Sequence, residues 1–167
     1  MHGAGLTRRW ALRILGVPLL AGTFSVSAAA LQTCHGTYTA SSLGPLPSPL
    51  VVQGVTASDP DQAFGAQQLQ AGMQAAGANF LGTPTVQMTL VLLNTMPAAD
   101  IPTQGTIPLN GSTLVLSLTL ANLRTYEIVW TALITCTVTT TDRAALAREI
   151  GMLIGQTLGG DFWQRRI

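Results

Sequence analysis

The sequence predicts an α+β fold. The expected form is a two-layer sandwich in the order β-α-β-β-β-α, with a mostly antiparallel sheet and both helices on one face. Three observations carry this. Three long segments alternate apolar and polar residues with period two. Two others carry apolar residues at helical spacing behind a capping aspartate. The last two alternating segments are joined by only a few residues, as antiparallel neighbours are. Clean alternation describes a sheet covered on one side and wet on the other, and the helices supply the cover.

The first predicted strand is Leu50–Val55 (LVVQGV), an apolar run behind a proline-rich stretch. Asp59-Pro60-Asp61-Gln62 then opens a helix. Asp59 can cap free amides, Pro60 suits the first helical position, and Gln62 can complete a capping box. Leu69, Met73, Ala76 and Phe80 follow as its apolar face. The second strand spans Thr85–Leu93, the third Thr113–Ala121 and the fourth Glu127–Thr139. In the fourth, Ile128, Trp130, Ala132, Ile134, Cys136 and Val138 share the core-facing side. The second helix starts at the Asp142 cap, buries Leu146, Ile150, Leu153 and Thr157, and ends at Gly159-Gly160. A β-α-β crossover is right-handed, so strands one and two are expected to be parallel.

Ahead of this domain, Arg8, Arg9 and Arg13 precede an apolar run from Ile14 to about Val26 and the small residues Ser27–Ala30. That order is a secretory signal peptide, and the run is shorter than the ~20 residues a membrane span needs. Arg8-Arg9 also resembles a twin-arginine export signal, and an ordinary signal with adjacent arginines reads equally well. Two processing sites compete. Ala28-Ala29-Ala30 allows cleavage that leaves Leu31 first. Leu31-Gln32-Thr33-Cys34 resembles a lipobox, with Cys34 as the lipidated residue. The favoured division is a signal peptide over 1–33, a flexible tether over 34–49, and a single domain over 50–167. The tether reading rests on HGTYTASSLGPLPSP, which is poor in large apolar residues. The chain has two cysteines. In an exported protein they can instead form a Cys34–Cys136 disulfide, which excludes lipidation of Cys34.

Composition narrows the function. The chain has no lysine, and its 8 Lys+Arg stand against 7 Asp+Glu for a net charge of +1. Three of those arginines lie in the leader, so the remainder offers no basic face and nucleic acid is not an expected partner. Beyond the leader the one histidine is His35, which removes most acid–base, triad and histidine-rich metal chemistry. His35 beside Cys34 could bind a metal only if that thiol stayed free. Asp59 is read as a cap, and Asp100 stands alone in a long connection. No catalytic residue, metal site or cofactor is expected, and a small hydrolase is the remote alternative. The connection Asn94–Ser112 is longer than a hairpin needs. Its Met96, Ile101 and Ile107, together with Trp163 near the C-terminus, are candidate partner contacts.

TYEIVWTALITC (Thr125–Cys136), followed by the Asp142 helix, is similar to a group of domain-of-unknown-function lipoproteins. A tethered cysteine ahead of β-α-β-β-β-α resembles small bacterial envelope lipoproteins, including the lipopolysaccharide-assembly lipoprotein. The resemblance implies a non-catalytic, lipid-anchored accessory domain on the periplasmic side of the envelope, with a membrane anchor at Cys34 and an envelope protein as partner. His35 after the cysteine, where inner-membrane lipoproteins of enteric bacteria carry Asp, implies the outer membrane. The alternative is a soluble periplasmic module holding the disulfide.

Overall fold

Alternation becomes sheet wherever the sequence shows it. The computed structural model describes residues 31–93 and 111–167. Its strands are β1 (Cys34–Ser42), β2 (Val52–Ala57), β3 (Val86–Leu92), β4 (Thr113–Asn122), β5 (Ile128–Val138) and β6 (Phe162–Arg166). The helices are α1 (Ala63–Ala75), entered through a short 3-10 turn at Pro60–Gln62, and α2 (Arg143–Thr157). One sheet holds all six strands in the order β2-β3-β4-β5-β1-β6. β2 and β3 are parallel, as their crossover through α1 requires, and every other neighbouring pair is antiparallel. The fold is the expected α+β sandwich with both helices on one face.

The caps form largely as expected. The Asp59 carboxylate accepts from the Asp61 amide at 3.0 Å, and Asp142 accepts from the amides of Ala144 and Ala145 at 2.9 and 3.0 Å. Gln62 departs from expectation. Its side chain makes no capping bond, and its carbonyl oxygen is buried without a hydrogen-bond partner.

Leu114, Leu116, Leu118 and Leu120 of β4 and Trp130, Ile134 and Val138 of β5 form the floor of the core. Leu69 and Met73 of α1 and Leu146, Ile150, Leu153 and Ile154 of α2 form its roof. The two helices meet backbone to backbone. A Cβ on Gly72 would collide with the Arg148 carbonyl, and one on Gly151 with the Leu69 carbonyl. Small residues at the crossing let both helices sit low on the sheet and so bring their larger side chains into the core.

Three readings need correction. Residues 34–49 are not a free tether: Cys34–Ser42 is a strand with β5 on one side and β6 on the other. Its composition misleads because an interior strand is stabilised by two hydrogen-bonded ladders and needs few large side chains. Tyr38 and Ala40 are its inward residues and are buried. Second, β6 is a strand after the Gly159-Gly160 stop, where none was expected. Third, Ile128 is half exposed while Val129 is buried. A register shift between Leu120 and Ala121 inserts an irregularity at the start of β5 and breaks the alternation there.

Candidate functional site

β1 and β5 lie side by side with Cys34 opposite Val138 and Gly36 opposite Cys136. Cys34 and Cys136 are therefore diagonal neighbours on the inward face. They are joined by a disulfide, with Cα atoms 5.6 Å apart across 102 residues of sequence. Both are buried. Gly36 is required between them, since a Cβ there would collide with the Thr135 carbonyl and the Cys136 side chain. The bond consumes the sulfur that a lipid would need, so Cys34 is not a lipidation site in this fold. It also leaves His35, which is exposed on the opposite face, without a thiolate beside it.

The residues just ahead of β1 are folded in as well. Leu31 is part of the core cluster. The Glu149 carboxylate of α2 accepts from the amides of Gln32 and Thr33, both at 3.0 Å, and from the Thr33 hydroxyl at 2.7 Å. Thr139 completes the clasp: its amide donates to the Thr33 carbonyl at 2.8 Å and its hydroxyl to the Gln32 carbonyl at 2.8 Å. A carboxylate that gathers three donors makes charge-assisted bonds, stronger than neutral ones.

A second tie joins β1 to α2. The Thr157 hydroxyl lies within reach of the carbonyls of Leu153 and Ile154, at 3.1 and 3.2 Å. The Tyr38 and Thr157 hydroxyls are hydrogen-bonded to each other. Burial pushes the Tyr38 phenol up to about 12, against the smaller opposing effects of the Thr157 bond and the Arg165 charge.

The face of the sheet away from the helices is rich in hydroxyls. Register aligns Thr56, Thr89, Thr119, Thr131 and Ser41 across β2, β3, β4, β5 and β1, and the row ends on Phe162 of β6. Some of these hydroxyls are occupied with backbone: Thr131 donates to the Leu118 carbonyl at 3.1 Å and Thr56 to that of Met88 at 3.2 Å. Strand periodicity places these residues outward, but their alignment depends on strand order, which periodicity does not reveal.

Under α1, an apolar pocket of about 350 Å³, solvent at its mouth included, is lined by residues such as Leu69, Leu90, Leu116 and Ile150. Gln62 sits at its rim, with its buried side-chain carbonyl oxygen unpaired. The pocket holds no charged group.

Of the residues singled out from sequence, Trp163 is 42% exposed on β6 and Asp59 is the expected cap. Arg8, Arg9, Met96, Asp100, Ile101 and Ile107 lie outside the described residues. Among the described residues, no group of three or more His, Cys, Asp or Glu side chains could hold a metal ion. No helix among them is long and apolar enough to cross a membrane.

The class these features define is a two-layer α+β domain whose first strand is locked into the sheet by a disulfide. No protein-family model matches the chain, and neither does any curated protein. Among solved structures it is similar to the PelC dodecamer from Paraburkholderia phytofirmans, at 12% identity and a TM-score of 0.47, over 74% of this chain and 98% of that one. It is also similar to a leucine-to-methionine variant of that dodecamer, at 14% identity and a TM-score of 0.46, over 72% of this chain and 97% of that one.

Proposed function

We propose that the chain is exported and works as a soluble, disulfide-locked module of the bacterial periplasm, serving an envelope assembly or transport system without catalysing a reaction. The buried Cys34–Cys136 disulfide carries this reading. Such bonds persist in oxidising compartments and are rare in the reducing cytosol. The leader read from the sequence supplies the route, and cleavage after Ala30 fits the folded state. It keeps Leu31 in the core and leaves Glu149 its three donors. Removal of residues 1–33 would strip both.

Intact mass of the protein recovered from the periplasm tests the reading. The expected species begins at Leu31 and is two hydrogens lighter than the reduced chain. A diacylglycerol adduct on Cys34, or a reduced protein found in the cytoplasm, overturns it. The accessory role is tested separately by mild crosslinking in native envelopes. Recovery of a defined envelope protein above background is expected, and its absence removes that part.

A further inference from the structure

We propose that β6 is a pairing edge for a second copy of this chain, whose own β6 joins it antiparallel about Gln164. β6 is the last strand of the sheet. Its inner side is committed to β1. Gly36 and Ile167 exchange both backbone bonds, at 2.9 and 3.1 Å, and the Ser42 amide donates to the Asp161 carbonyl at 3.0 Å. Bonded and non-bonded pairs alternate along an antiparallel ladder. The bonded pairs between these ends are therefore Tyr38 with Arg165 and Ala40 with Trp163, while Arg166, Gln164 and Phe162 face Thr37, Thr39 and Ser41 without bonds. The amides and carbonyls of Phe162, Gln164 and Arg166 consequently point off the sheet. Among the described residues none has a strand partner on that side. An open edge of this kind is a template for another strand.

The sequence of the edge selects the occupant. Phe162-Trp163-Gln164-Arg165-Arg166 is complementary to itself in reverse. Antiparallel pairing centred on Gln164 sets Phe162 opposite the second copy's Arg166 and Trp163 opposite its Arg165. The exposed Phe162 ring then meets the guanidinium of the second copy's exposed Arg166, a favourable cation–π arrangement. The three outward-pointing residues of one copy meet the same three of the other, so all their backbone donors and acceptors are satisfied together. The two copies' arginines fall at opposite ends of the interface. Parallel pairing would stack arginine on arginine. The contact is isologous, as in a two-fold dimer. Phe162 is 65% exposed, so its ring is available to the partner. Five residues a side is a small interface, so the dimer is reversible and concentration-dependent.

The test uses the oxidised domain in solution and does not depend on where it is exported. Sedimentation equilibrium of the wild type should show monomer passing to dimer as concentration rises. Amide exchange at Phe162, Gln164 and Arg166 should slow in step. Gln164→Pro removes the central outward donor without touching a bond to β1, and should weaken association roughly tenfold or more. Arg166→Glu, which places a carboxylate against the ring, should weaken it too and serves if the proline variant fails to fold. A wild type that stays monomeric to its solubility limit overturns the proposal. So does a dimer that leaves those three amides unprotected, or a folded variant that associates as tightly as wild type.

Discussion

Gly151 of α2 rests against the backbone carbonyl of Leu69 on α1, at a distance that leaves no place for a Cβ. Two effects oppose each other when alanine replaces it. Helix propensity favours alanine by about 1 kcal/mol. Overpacking costs about 1–3 kcal/mol, and the obstacle here is main chain that cannot swing aside, so the cost lies at the upper end. Gly151→Ala is expected to lose about 1–2 kcal/mol net in urea unfolding. Gly44→Ala, where a Cβ would meet nothing within 4 Å, is the control and should change stability by less than about 0.5 kcal/mol. Equal midpoints for the two variants would show that the helices are not in backbone contact.

The disulfide closes a long loop. With a separation of 102 residues between its cysteines, the chain-entropy model assigns it about 4–5 kcal/mol. A Cys34→Ala/Cys136→Ala double variant, or the reduced wild type, should therefore unfold at a markedly lower denaturant concentration. If reductant leaves the midpoint where it was, the bond contributes nothing to the folded state.

Alkaline pH should act through Tyr38. Its phenol is held protonated up to about 12 in the folded state, against about 10 in an unfolded chain. Between those values the unfolded state sheds a proton that the native state keeps, so the stabilisation is complete below about pH 10 and is lost as pH rises through about 12. The slope is about 1.4 kcal/mol per pH unit for one proton. Tyr38→Phe should remove this component of the slope, as read by denaturant unfolding at a series of pH values. A slope unchanged in the variant would assign the effect to another group.

Glu149→Ala should release the residues ahead of β1 while leaving the sheet intact. The carboxylate holds the amides of Gln32 and Thr33, so exchange at these two should quicken by roughly tenfold, the equivalent of about 1.4 kcal/mol. Protection in β5 should be unaffected. Uniform loss of protection across the domain would mean that Glu149 supports the core and not the clasp alone.

The two helices and strands β2 to β5 are legible in the sequence because each announces itself locally. Asp59 and Asp142 are caps, and the leucines of β4 alternate without interruption. β1 is not legible for a physical reason: its Thr, Ser and Gly belong to a strand whose neighbours lie about a hundred residues away. The aromatic Phe162-Trp163 pair is a β-forming signal for β6, masked by the Gly159-Gly160 stop just ahead of it. The disulfide is one of two readings open for Cys34, and only the adjacency of β1 and β5 separates them. The clasp at Glu149 has no local signal, since it joins the start of the domain to the middle of α2.

The place of β1 in the sheet also sets an order of events. The first strand made is held between two of the last, β5 and β6. A chain that grows or emerges from its N-terminus must carry residues 34–42 unpaired until nearly all of it is present. The Cys34 thiol waits through the same interval for its partner. Contacts so distant in sequence slow folding, and an exposed strand waiting for its neighbours is open to wrong partners. Assembly of this domain is accordingly a late, whole-chain event, and a chain truncated before β5 has nowhere to put its own beginning.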